Sequence, residues 1–191
     1  MNAQHTELQV AIRECADALA ATAVGVGETQ LENPTPCAEY TVGQLVDHLG
    51  GALQASARAA RKEAQPGDAS TAPAVSPKGL ADAADQAAAA WARPAAYDGT
   101  TEFGPGEMPA LFAASITLQE LALHGWDLAQ ATGQSFVIDE ATGRVVLGVV
   151  GQLAEAARSR GGYAEPVPVP ADAPPFERAL ATSGRNPEWS P

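Results

Sequence analysis

Prolines and glycines divide this chain into stretches that can only be satisfied as amphipathic helices. Asn33-Pro34-Thr35-Pro36, Pro94, the Gly99–Gly106 cluster, Gly133 and Gly161-Gly162 each interrupt the backbone. Proline lacks an amide proton and restricts the residue before it, so a helix cannot run through such points. Between them, apolar residues recur at three- and four-residue steps, as in Leu8, Ile12, Cys15, Leu19 and Ala23. Apolar residues make up 46% of the chain but aromatics only 5%, and alanine fills much of the difference. That balance favours helix over sheet.

The breaks predict helices over about 6–24, 41–64, 76–93, 109–131 and 139–160. Thr41 and Gln44 form a Thr-x-x-Gln capping box at the second start. Ser76 and Pro77 supply an N-cap and a first-turn proline at the third. Residues 65–76 read as a mobile connection and 95–107 as a hairpin or irregular loop. The fold expected is all-α: a four-helix bundle with an additional helix (residues 1–160), followed by a Pro-rich C-terminal extension (161–191) that packs on the bundle. Phe176, Leu180 and Trp189 in that extension need burial.

The formal charge of −12 makes the chain a poor partner for nucleic acid or an anionic membrane, since both are bound through Lys and Arg. No signal peptide and no apolar run of membrane-spanning length is visible, and two cysteines make no disulfide framework. A cytoplasmic monomer or homodimer is expected.

The fourth helix carries the chemistry. On a wheel of about 100° per residue, Ala113, Ile116, Leu123 and Ala131 cluster about Glu120, with His124 roughly 40° to one side and Asp127 roughly 20° to the other. A buried carboxylate is costly unless paired or bound to metal. Glu120 and His124 are therefore either a hydrogen-bonded pair that sets packing or two ligands of one ion. His48 lies at the border of the second helix's apolar arc, beside Ala52, Ala55 and Ala59, where a neighbouring helix can approach. By itself it reads as a satisfied core histidine.

Two segments carry a family resemblance. Thr35-Pro36-Cys37-Ala38-Glu39-Tyr40-Thr41-Val42-Gly43-Gln44-Leu45-Val46-Asp47-His48-Leu49 resembles the "TPCxxWxVxxLvxHl" segment, and Glu120 to Gly133 the "ExxxHgWDLAxATG" segment, of actinobacterial proteins related to mycothiol-dependent maleylpyruvate isomerase, within the DinB-like superfamily. Gly184-Arg185-Asn186-Pro187-Glu188-Trp189 is similar to the "GRdPxW" ending of one subgroup. Tyr40 stands where the pattern usually has Trp. The resemblance implies His48, Glu120 and His124 as metal ligands at one end of a bundle.

Two His and one Glu leave coordination positions open, as in catalytic zinc sites, and the set also suits iron or nickel. The expected activity is that of a thiol-dependent transferase or isomerase, with mycothiol as cosubstrate and a small electrophile as substrate. The alternatives are a metal-dependent hydrolase and a non-catalytic metal- or small-molecule-binding protein. Asp127 reads either as a carboxylate that orients a metal-bound His or as a salt-bridge partner of Arg178 or Arg185. Those two arginines are candidates for binding an anionic thiol conjugate if the tail folds over the site. Trp126 reads as packing and Asp47 as solvated. Cys15 is placed in the core, and Cys37 reads as structural although it precedes a helix N-terminus.

Overall fold

A computed structural model describes residues 3–66, 74–104 and 106–190. Helices α1 (Ala3–Val24), α2 (Val42–Arg61), α3 (Pro77–Trp91), α4 (Ala110–Gln119), α5 (Gly125–Ala131), α6 (Glu140–Ser159) and α7 (Pro175–Thr182) dominate. An antiparallel hairpin, β1 (Thr100–Phe103) and β2 (Gly106–Pro109), pairs Thr101 with Met108. The protein is all-α apart from this ribbon. Part of the 65–76 connection falls outside the described residues.

The element starts follow local chemistry. Thr41 Oγ1 accepts from the Gln44 amide and Gln44 Oε1 accepts from the Thr41 amide, closing the capping box of α2. Ser76 caps α3 through the Gly79 amide, and Asp139 caps α6 through the Thr142 amide. Glu14 of α1 accepts from the Asp139 amide, so the entry of α6 is fixed by a different helix. The second helix ends at Arg61 rather than near Ala64, because Lys62 adopts φ 61° and its ammonium donates to the Asp98 carbonyl. The third ends at Trp91, where Trp91 Nε1 donates to Ser56 Oγ and Ser56 in turn meets Thr117.

α1 packs on α3, α3 on α2, and α4 and α5 lie against α1 and α2. Leu8, Ile12, Cys15 and Leu19 of α1 share one apolar core with Leu45, Leu49 and Leu53 of α2 and Leu118, Leu121 and Leu123. Helix α6 lies along α1 and α4, and α7 covers α6. Leu180 and Tyr163 of the C-terminal stretch join the same core, while Phe176 and Trp189 pack on its edge.

The expected single helix over 109–131 is a composite. Residues Glu120–His124 form a π-helical turn between α4 and α5. The π turn inserts one residue into the helical register, so the 100° wheel does not hold across it; such turns recur at functional sites. The segment is also buried on more sides than one amphipathic face allows, with Ala113, Ala114, Thr117, Leu118, Leu121, Ala122, Leu123, Trp126 and Leu128 all in the interior. Gly125 follows the turn because Phe136 crosses there: a Cβ would lie 2.5 Å from its ring.

Candidate metal centre

Helix α2 and the π turn bring His48, Glu120 and His124 together, with their donor atoms within 4.8 Å of one another. His48 Nε2 lies 3.1 Å from Glu120 Oε2, and His124 Nε2 lies 3.8 Å from the same oxygen. Glu120 and His124 are nearly enclosed, with side chains 15% and 13% exposed, whereas His48 at 32% faces the opening. Tyr40, delivered by the turn before α2, stacks on the His48 ring at 4.9 Å and places its hydroxyl 3.4 Å from His48 Nδ1. Thr35 holds that turn by donating to the Cys37 and Tyr40 carbonyls, and a bridge between Pro34 and Thr41 closes it.

Asp127 touches both His124 and Arg185. Its Oδ2 lies 2.9 Å from His124 Nδ1, while Arg185 donates through Nε to Oδ1 at 2.8 Å and through Nη2 to Oδ2 at 2.7 Å. This is a fully buried, bidentate ion pair. A carboxylate can only accept, so His124 Nδ1 must carry a proton. The 3.4 Å approach of Arg185 Nη2 to that nitrogen is then contact between two donors rather than a bond. With Nδ1 committed to Asp127, Nε2 is the ring nitrogen left toward Glu120.

Arg185 reaches Asp127 because the chain reverses sharply after α7. Gly184 has φ 86°, and a Cβ there would lie 2.6 Å from Ala164 Cβ. Arg178 is elsewhere: on α7 its neighbours Ala179 and Leu180 turn into the core, which leaves Arg178 exposed. Arg185 itself donates to Asp127 and to Ser183. Trp126 is interior, and Asp47 is exposed and accepts from the Val75 amide.

Electrostatics follow from the contacts. Burial opposes ionisation of Glu120, but the hydrogen bond from His48 and the charges of His124, His48 and Arg185 outweigh it and hold the carboxyl below its usual range. For Asp127, burial is likewise overcome, chiefly by Arg185 and then by His124. His48 is raised, first by its hydrogen bond with Glu120 and against the effect of burial. Cys37 is half-buried, and burial pushes its thiol up, so the dipole of α2 does not make it a thiolate. Its sulfur forms a second donor cluster with His124 and Asp127. In that cluster Asp127 and His124 Nδ1 are already committed to each other and to Arg185.

A family model described as the mycothiol maleylpyruvate isomerase N-terminal domain matches residues 12–129, well over half of the chain. The chain belongs to this family. His48, Glu120, His124 and Asp127 lie inside the stretch that the family model matches, whereas Tyr163 and Arg185 lie beyond it. Two uncharacterized proteins of Mycobacterium tuberculosis, from strains CDC 1551 / Oshkosh and ATCC 25618 / H37Rv, are each 34% identical over 183 residues, with 88% of this chain and 92% of the relative covered. Among solved structures, a mycothiol-dependent maleylpyruvate isomerase is similar at 17% identity with a TM-score of 0.55, covering 78% of this chain and 72% of that one. A histidine-to-alanine mutant of a mycothiol-dependent maleylpyruvate isomerase aligns with a TM-score of 0.56 at 15% identity and the same coverage. At these identities the likeness to solved structures is one of fold. Among the described residues no helix is long and apolar enough to cross a membrane.

Proposed function

We propose that this family member is a divalent-metal enzyme, held by His48, Glu120 and His124, that uses a low-molecular-weight thiol to transfer to or isomerise a small electrophile. The observation that carries the metal is the convergence of three donors. Asp127 holds His124 through Nδ1 and leaves Nε2 toward a Glu120 oxygen 3.8 Å away, and His48 Nε2 meets the same oxygen at 3.1 Å. One cation can take all three, and the donor set of two imidazoles and one carboxylate is that of open zinc sites. Iron and nickel accept the same donors.

An ion bound there supplies positive charge that favours thiolate over thiol for a sulfur brought to the open position. The chain's own residues do the rest. Asp127, anchored by Arg185, keeps the His124 ring oriented and its Nε2 free. Tyr40 covers one face of His48 and narrows the opening. Mycothiol is the thiol that family membership supports, and maleylpyruvate isomerisation is the reaction named for the related structures.

The hydrolase reading needs a carboxylate over the open position to accept a proton from water. Asp127, its candidate, is tied to Arg185 and to the Nδ1 side of His124, away from the Nε2 that faces Glu120. A closed structural site needs a fourth ligand, and the sulfur of Cys37 groups with His124 and Asp127 rather than with His48 and Glu120.

The test is cobalt substitution. Mycothiol added to the cobalt-loaded protein is expected to raise a near-ultraviolet sulfur-to-metal band and to release a proton. The band should vanish when the metal is chelated. An unchanged spectrum at millimolar mycothiol rejects the thiol and leaves the metal proposal standing.

A further inference from the structure

The two histidines of the centre are not held alike. His124 is fixed from outside the ligand set by Asp127, 2.9 Å from its Nδ1. Among the described residues His48 meets no such carboxylate. Its polar neighbours are Glu120, itself in the ligand set, and the Tyr40 hydroxyl. His48 is also the more exposed of the two, so its ring has the greater freedom to turn toward solvent.

Tyr40 stands where that freedom would be exercised. Its ring lies on the His48 imidazole with centroids 4.9 Å apart and planes 21° from parallel. The same ring meets His124 edge-on, at 6.3 Å and 76°. The two imidazoles cross each other at 81° with centroids 5.1 Å apart. One phenol ring therefore borders both histidines, flat against the looser one. Tyr40 is itself anchored: its amide donates to the Cys37 carbonyl at 3.0 Å, and its carbonyl accepts from Thr35 Oγ1 at 2.9 Å. Its side chain packs against the core.

The hydroxyl is the weaker half of this contact. At 3.4 Å from His48 Nδ1 it lies beyond the ordinary range for a hydrogen bond. A ring stacked on an imidazole also sits over its plane, whereas the N–H or lone pair of Nδ1 lies within the plane. The face has chemistry of its own. An imidazole that gives a lone pair to a cation becomes electron-poor, and an electron-poor ring gains from lying on the negative face of a phenol.

We propose that Tyr40 is a positioning residue of the metal centre, whose ring face rather than its hydroxyl holds the His48 imidazole with Nε2 turned to the ion. The inference rests on the metal reading above.

The experiment compares Tyr40→Leu, which removes the face, with Tyr40→Phe, which removes only the hydroxyl. Tyr40→Leu is expected to weaken cobalt about tenfold, within the cost of losing an outer group that orients a metal ligand. It should also alter the visible bands of bound cobalt, a signature that a purely structural role would not move. Tyr40→Phe should keep both the affinity and the spectrum, as should Tyr40→Trp, which restores the residue usual in the motif that this segment resembles. In the metal-free wild type the carbon-bound ring protons of His48 should resonate upfield, shifted by the ring current of Tyr40, a readout that needs no variant. Unshifted His48 protons overturn the proposal. Cobalt affinity and spectrum unchanged in Tyr40→Leu overturn it too, and leave the metal reading standing. A loss in Tyr40→Phe equal to that in Tyr40→Leu assigns the role to the hydroxyl and overturns the claim for the face. A wild type that takes up no cobalt rejects the metal reading, and the positioning role falls with it.

Discussion

His124→Ala is expected to lower divalent-metal affinity by at least about a hundredfold while leaving the fold in place. Loss of an outer partner that orients a ligand already costs roughly 10–100-fold in affinity, and loss of the ligand itself costs more. The remaining pair, His48 and Glu120, offers two donors, one of them on the half-open side of the site. The change is mild for stability because Asp127 keeps both bonds from Arg185 when the imidazole is removed. Metal content and circular dichroism of the same preparation separate the two effects. Full metal occupancy in both His124→Ala and Glu120→Ala rejects the assignment of these ligands.

Asp127→Ala is expected to produce the largest loss of stability of any single change at the site. It strands the Arg185 guanidinium, which is 7% exposed, without its counter-charge. Breaking a buried pair from one side costs about 3–5 kcal/mol. For a chain of this size that is a fall of roughly 6–20 °C in melting temperature. The pH dependence gives a second signature. Arg185 and His124 hold the Asp127 carboxyl below its usual range in the folded state, against the effect of burial. Its contribution is therefore complete above the ordinary carboxylate range and is lost as pH falls through the depressed value. The stability gap between wild type and Asp127→Asn should accordingly be widest near neutrality and close in strong acid. A gap that widens as the pH falls contradicts the ion pair.

Sequence reading works best here where the signal is local. The capping residues Thr41 and Ser76 set helix starts because each satisfies a backbone amide only three residues on. The apolar spacing of α1 identifies its buried face for the same reason. The grouping of Glu120 with His124 is visible at four-residue spacing, and His48 becomes interpretable only through the motif in which it sits.

What was hidden is non-local. A helical wheel assumes one twist, so it cannot register the π turn at Glu120–His124. It also cannot show that this segment is packed from several sides, with Leu118, Leu121 and Trp126 all interior. Arg178 and Arg185 look equivalent as charges, and only the Gly184 reversal distinguishes them.

The central claim is a divalent ion held by two imidazoles and one carboxylate with a position left open. X-ray absorption at the metal edge, on protein loaded with one equivalent of zinc, tests it most directly. The account predicts a first shell of nitrogen and oxygen only, with imidazole scattering from two histidines, and a sulfur scatterer appearing when a thiol is added. No stoichiometric uptake of zinc, or a sulfur already present in the thiol-free shell through Cys37, would contradict it.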